Sequence, residues 1–308
     1  MSSNIESPLA ELTGAKQTMS SWARIIECYE DVPEIYKNSC KALLLGRSPF
    51  PYVVLAPAIS DYKQKTTEKL LCEMDGIFHV WEHTGRQIVS TVFPLKTIYS
   101  LEVGSVLLFS WLTVSGLTSD GAAGSATISF NTATQRFLAP FIKQMRPTPE
   151  VVNEADWQTE LAKFDHLSSS DFKFMNYARE SLVRGGHVIC SIMQPRIRKH
   201  IFSLFGQRFY RTKVLSHLAL LTDKEVIFIR DDERTAEIKG RGERYGGVWQ
   251  YVPLRSVTTA EIAEAENGLL TLSIKLSIAD QQLDKFFEAS NKKALEEFQK
   301  KLTQAIGK

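Results

Sequence analysis

Apolar and polar positions run along this chain in two matching series. In each, an amphipathic segment leads into a short apolar strand, a group of alternating stretches follows, and a helical period closes the series. The match is tightest where Val92-Phe93-Pro94-Leu95-Lys96-Thr97-Ile98 aligns with Tyr251-Val252-Pro253-Leu254-Arg255-Ser256-Val257. Both are followed by an alternating stretch that turns and runs back. Upstream, Tyr52-Val53-Val54-Leu55-Ala56-Pro57 matches Val188-Ile189-Cys190-Ser191-Ile192-Met193-Gln194-Pro195. A repeat identifies architecture rather than reaction, so the pattern speaks first to the fold.

In the first series Ile35, Leu43 and Leu44 give a weak helical period over 35–45. Short alternating stretches then predict strands at 52–57, 69–74, 77–81, 88–93, 97–103, 106–114 and 126–130. Asp75-Gly76, His83-Thr84-Gly85 and Gly104-Ser105 are the expected turns between them. The most apolar stretch, 103–117, contains Gly104, Thr113 and serines and is shorter than the ~20 residues of a spanning helix. It reads as a hairpin apolar on both faces, as a strand covered on both sides would be. Residues 115–125, rich in glycine and serine, read as a flexible connector. Asn131 is the expected cap of a helix running to Met145, with Phe137, Leu138, Phe141 and Ile142 on one face. Pro140 is a defect in it that kinks the helix or delays its start.

Arg146-Pro147-Thr148-Pro149-Glu150 breaks the pattern and marks a boundary. Beyond it a short helix capped at Asn153 is predicted within 151–165, and a second over 172–183, stopped by Gly185-Gly186. The second series predicts strands at 188–194, 215–222, 226–230, 235–239, 248–252, 257–263 and 269–278. Glu266-Asn267-Gly268 is its hairpin turn. The last helix spans 290–306, with Leu295, Phe298, Leu302 and Ile306 on one face. The expected organisation is an acidic helical segment over 1–34, a unit over 35–146, a linker over 147–170 and a second unit over 171–308. Trp22, Ile25, Ile26 and Tyr29 form a small apolar face before Pro33, suited to docking on either unit.

Composition narrows the class. A chain of 308 residues, 44% hydrophobic and 23% charged, can bury two cores of ordinary size. Its net charge of +2 gives no general attraction to nucleic acid, and none is expected as a partner. Cys28, Cys40, Cys72 and Cys190 lack the short spacings of zinc or redox motifs and read as reduced thiols. The N-terminal stretch has no basic-then-apolar order, so the expected location is the cytoplasm.

Two strand-rich units, each closed by one amphipathic helix, resemble the pleckstrin-homology-like superfold, a bent antiparallel barrel capped by a helix. Leu218-Ala219-Leu220-Leu221-Thr222-Asp223-Lys224-Glu225-Val226-Ile227-Phe228-Ile229, followed by Val252-Pro253-Leu254-Arg255-Ser256-Val257, is similar to the strand–turn–strand and Pro-Leu motifs of bacterial pleckstrin-homology-like and GRAM-like domains. Met74-Asp75-Gly76-Ile77-Phe78-His79-Val80 and Phe93-Pro94-Leu95-Lys96-Thr97-Ile98 fill the same slots in the first series. The resemblance covers most of both units, but not 1–34 or the linker. It implies an α+β fold, mainly antiparallel β, of two such barrels each capped by a C-terminal helix. It also implies binding of lipid, peptide or protein rather than catalysis, at the level of fold alone.

The sharpest local anomaly is a stretch from Pro195 to Thr222 without Asp or Glu. It carries Arg196, Arg198, Lys199, Arg208, Arg211 and Lys213 among Ile201, Phe202, Leu204, Phe205, Phe209 and Tyr210. Cations beside apolar wedges suit an anionic membrane: arginine forks grip phosphate oxygens, and Phe202 and Phe205 are candidates to enter the headgroup layer. In the repeat this stretch joins the first and second strands, the loop that in pleckstrin-homology domains often holds a phosphoinositide. A packed element surrounded by solvated cations fits the same residues. Lys63, Lys65 and Lys69 form a weaker equivalent in the first series. Lys239, Arg241 and Arg244 lie in a glycine-rich insertion with no phosphate-loop ending, which reads either as a supplementary basic finger or as a plain loop.

The six histidines show no metal-ligand spacing, no nucleophile elbow is present, and Asp231-Asp232 sit where a turn would place them in water. No cofactor, metal or enzymatic activity is expected. The expected function is therefore a non-catalytic binding module that touches an anionic phospholipid or another polyanion, at times at the membrane periphery. The alternative is a scaffold that binds a protein or self-associates through exposed sheet edges.

Overall fold

A computed structural model describes residues 21–59, 65–169, 171–204, 207–232, 246–265, 268–278 and 281–307, and of 204, 207 and 208 the backbone alone. The fold is α+β and mostly antiparallel. Strand β1 (Arg24–Ile26) and helix α1 (Glu34–Leu44) precede β2 (Val53–Ala56), β3 (Glu68–Met74), β4 (Ile77–His83) and β5 (Ile88–Pro94). Then come β6 (Ile98–Val106), β7 (Phe109–Leu117), β8 (Ala123–Asn131) and α2 (Gln135–Met145). Helices α3 (Glu154–Ala162) and α4 (Phe172–Ser181) lead to β9 (Val188–Gln194), β10 (Ile197–Leu204), β11 (Gln207–Val214), β12 (His217–Thr222), β13 (Glu225–Arg230) and β14 (Gly247–Pro253). The chain ends in β15 (Val257–Ala265), β16 (Leu269–Leu276), β17 (Gln282–Glu288) and α5 (Lys292–Ile306).

Four strands, a Pro-Leu turn, three strands and a helix thus occur twice, with the β10–β11 hairpin added after the first strand of the second round. The repeat reaches the backbone hydrogen bonds. Pro94 and Pro253 each precede one turn of 3-10 helix, Leu95–Thr97 and Leu254–Ser256. The Leu95 N–H donates to the Gly76 carbonyl at 2.9 Å, and the Leu254 N–H to the Lys224 carbonyl at 3.0 Å. Proline suits this position because it fixes φ and has no N–H to leave unpaired.

The two rounds share a sheet. Strands β1-β2-β3-β4-β5 form one sheet and β15-β16-β17 another, but the largest has the order β8-β7-β6-β14-β13-β12-β9. Its central seam pairs β6 with β14, Val103 opposite Trp249 and Leu101 opposite Tyr251. All six residues of β12 are buried because both faces of this sheet are covered. Leu218, Leu220, Ile227 and Ile229 face a core that also holds Phe78, Phe93, Phe130, Phe141 and the α4 residues Phe174 and Ala178. Ala219, Leu221, Val226 and Phe228 face a second core with Leu272, Ile274, Phe287, Leu295, Phe298 and Leu302. The first core therefore draws on both sides of the proline segment. A third packs α1 through Tyr36, Cys40 and Leu44 onto the far face of the five-stranded sheet.

Several sequence expectations change. The turn expected at Gly104-Ser105 falls at Leu107-Leu108, Leu107 taking φ 54°, and Gly104 lies inside β6. A Cβ on Gly104 would lie 1.9 Å from the Trp111 indole, so this glycine permits a ring to lie against the strand rather than a turn. The 115–125 connector is the tight end of the β7–β8 hairpin, where the Thr118 N–H donates to the Ala122 carbonyl at 2.8 Å. Within the described part of 1–34, Arg24–Ile26 is a strand paired with β2, because alternating burial of Ile26 against exposure of Ile25 satisfies a sheet edge. Within the 147–170 linker Phe164 and Leu167 are buried, so this segment contributes to the first core. Asn153 and Asp171 cap α3 and α4 by accepting from Asp156 and Phe174 N–H. Helix α2 begins at Gln135, after a 3-10 turn, and carries Pro140 inside it. The strand expected at 235–239 lies outside the described residues, and β10, β11 and β17 occur where no strand is expected.

Candidate functional site

The acid-free stretch folds as the β10–β11 hairpin, a two-stranded sheet of its own. Lys199 pairs with Arg211, His200 with Tyr210 and Phe202 with Phe209, with an irregularity between His200 and Phe202. Arg198, Lys199, Arg211 and Lys213 are exposed. So are Ile201, Phe202, Phe209 and Tyr210, although all four are large and carry apolar surface. The Phe202 and Phe209 rings stack at 4.6 Å, and His200 meets Tyr210 edge-on at 5.6 Å. The structure thus brings four of the expected cations together with Phe202. Arg208 has no described side chain, and Phe205, Lys239, Arg241, Arg244 and Lys63 lie outside the described residues. Lys69, by contrast, is buried and paired with Glu82 at 3.3 Å.

Arg196 behaves differently. Its guanidinium is largely covered and lies 3.6 Å from the Asp231 carboxylate, which Lys173 of α4 also engages. Asp231 and Asp232 are not turn residues in water but buried ones. The correction has a simple cause: a buried carboxylate must be paired, and Lys173 and Arg196 converge on it from elements distant in sequence. Arg196 anchors the base of the hairpin.

Between β11 and β17 runs a cleft in two adjoining parts. One, of about 670 Å³, is lined by Lys199, Ile201, Arg211, Lys213 and Phe286 among others. The next, of about 560 Å³, shares Lys213 and Phe286 and adds His217, Phe228, Arg230, Asp284 and Lys285. Lys285 donates to Gln250 Oε1 at 3.1 Å and lies over the Phe228 ring at 4.7 Å. Burial, then the neighbouring Arg230 charge, draws its ammonium pKa down to about 8 despite Glu102 and Asp284 nearby. Arg230 is paired with Glu102 of β6 at 3.3 Å. His217 Nδ1 lies 3.0 Å from the Leu215 carbonyl, which can only accept, so Nδ1 carries the proton and Nε2 is a buried acceptor with no donor among the described residues. Burial holds this imidazole at about 4, hence neutral near pH 7.

Lys285 and Phe286 lie on β17, where no strand is expected from the sequence, whereas Arg230 ends the expected strand β13 and is brought to them only by the fold. The inward series of β17, Leu283, Lys285 and Phe287, has a lysine in an apolar slot, which blurs the alternation. The repeat itself held the missing signal: the first series has a third strand before its closing helix, so the second needed one too.

Among the described residues no group of His, Cys, Asp and Glu could hold a metal ion, and no helix is long and apolar enough to cross a membrane. The four cysteines are free thiols. No protein-family model matches the chain, and no curated protein does.

Proposed function

We propose that this protein is a non-catalytic binding module of two pleckstrin-homology-like units, and that the β10–β11 hairpin engages an anionic surface of phospholipid headgroups or another polyanion. One observation carries the reading. A hairpin to which no third strand of the described residues is paired exposes Arg198, Lys199, Arg211 and Lys213 beside Ile201, Phe202, Phe209 and Tyr210. An isolated two-stranded ribbon is marginal in water, and exposed large apolar side chains on one call for a surface to cover them. Cations and wedges in one place suit the boundary between headgroups and acyl chains, where each Lys or Arg contributes about 1 kcal/mol. The twice-used order of four strands, Pro-Leu turn, three strands and helix supports the assignment of the units.

Co-sedimentation with phosphatidylcholine vesicles, with and without phosphatidylserine, tests this. Binding should require the anionic lipid and fall with added salt. Arg198→Glu should weaken it by about tenfold or more, since both a lost attraction and a new repulsion act. Phe202→Ser should weaken it at every salt concentration. Equal binding to neutral vesicles, or no effect of either substitution, would overturn the reading.

A further inference from the structure

We propose that the cleft between β11 and β17 is a strand-addition site for an extended acidic peptide. Successive side chains of a strand point to opposite faces, so a run of consecutive residues lining one cleft is what a strand edge turned toward it gives. Arg211, Thr212, Lys213 and Val214 of β11 all line it, as do Asp284, Lys285 and Phe286 of β17. Both strands are the last of their sheets.

The backbone phase of β17 supports this. The Glu288 N–H donates to Gln194 Oε1 at 2.7 Å, away from β16. Backbone groups in an antiparallel strand alternate between its two sides, and the β16–β17 register has no shift, so those of Phe286 and Asp284 also point outward. Gln194 closes the seam at the Glu288 end, also accepting from Asn291 Nδ2 at 3.0 Å. Toward Asp284 no strand of the described residues covers it. An incoming strand would pair with the outward groups of Phe286 and Asp284.

The lining chooses the partner's charge. Lys199, Arg211, Lys213, Arg230 and Lys285 face the cleft against Asp284 as its acidic side chain. Asp284 is already occupied, accepting from Ser273 Oγ at 2.6 Å and Gln282 Nε2 at 2.8 Å. Arg230 has Glu102, while Lys199, Arg211, Lys213 and Lys285 form no ion pair among the described residues. A carboxylate brought beside Lys285 would offset the desolvation that lowers its pKa. The cleft shares Lys199, Ile201, Arg211 and Lys213 with the lipid reading, but Arg198 and Phe202 do not line it, so they separate the two.

Fluorescence polarisation with a labelled seven-residue peptide alternating Glu and Val tests the proposal on the full chain. The peptide should bind, and Lys213→Glu, at an exposed position, should weaken it at least tenfold. Lys285→Met should also weaken it, and a loss of folding in that variant leaves Lys213→Glu as the deciding one. N-methylation of alternate peptide residues, which removes strand hydrogen bonds and keeps the charge, should abolish binding. Replacing Glu by Lys should do the same. Arg198→Glu and Phe202→Ser should bind the peptide as the parent protein does, whatever they do to vesicle binding. Failure of the acidic peptide to bind, or equal binding of the N-methylated or Lys peptide, overturns the proposal.

Discussion

Arg146 joins the two series at the end of α2, and its replacement probes the shared core most directly. Its guanidinium reaches the Glu225 carboxylate of β13, donates to the Ser181 carbonyl at 2.7 Å and lies 3.7 Å over the Tyr251 ring. Only 11% of the Arg146 side chain and 3% of the Glu225 side chain are exposed. Burial raises the Glu225 carboxyl pKa, outweighing the lowering by Arg146, so desolvation costs this carboxylate more than its partner returns. The pair therefore adds little net stability, yet breaking it is costly. Arg146→Met strands a buried carboxylate and should destabilise by about 3–5 kcal/mol, a large part of the roughly 5–15 kcal/mol typical of a folded protein. Arg146→Met with Glu225→Leu removes both charges and should recover most of that, to within about 1–2 kcal/mol of the parent. Because Glu225 is held above its unfolded value, the Arg146→Met penalty should be small below pH 4.5 and grow as pH rises through the folded value. Urea unfolding at pH 7 and pH 4.5, followed by tryptophan fluorescence and extrapolated linearly, measures all three. A single-variant cost below about 1 kcal/mol, or a double variant no more stable than the single, would refute the reasoning.

Two further outcomes follow from buried geometry. His217 is held at about 4 against an ordinary 6.5, so its contribution is whole above pH 6.5 and is lost as pH falls toward 4. The loss approaches about 3 kcal/mol at 1.36 kcal/mol per pKa unit, and His217→Phe should flatten the acid limb of a stability–pH curve; an unchanged limb would assign it elsewhere. Gly104→Ala places a methyl 1.9 Å from the Trp111 ring and should cost about 1–3 kcal/mol or more by thermal unfolding. Trp111→Leu in the same background should recover part of it, and additive losses would show that the contact is not the cause.

The repeat was legible because its carriers act locally. Pro94 and Pro253 impose a backbone angle that needs no distant partner, and the apolar face of Leu295, Phe298 and Leu302 marks α5 at helical spacing. The hairpin cations were legible as composition, since an acid-free run can be counted. Their separation into Arg196 beneath and Arg198, Lys199, Arg211 and Lys213 outside was not. That depended on where Asp231 and Lys173 meet. Gly104 misled because a glycine needed for ring contact and one needed for a turn look alike in one dimension.

Local backbone preference and side-chain periodicity, both carried by neighbours within a few residues, were enough to mark the repeat, its Pro-Leu turns and the closing helix α5, though not β10, β11 or β17. The tertiary structure alone decided that β6 pairs with β14, that one core spans the proline segment, and that residues of β11 and β17 line one basic cleft. Those outcomes rest on contacts between residues far apart in the chain, whose partners are chosen by mutual burial and backbone pairing once the chain has collapsed.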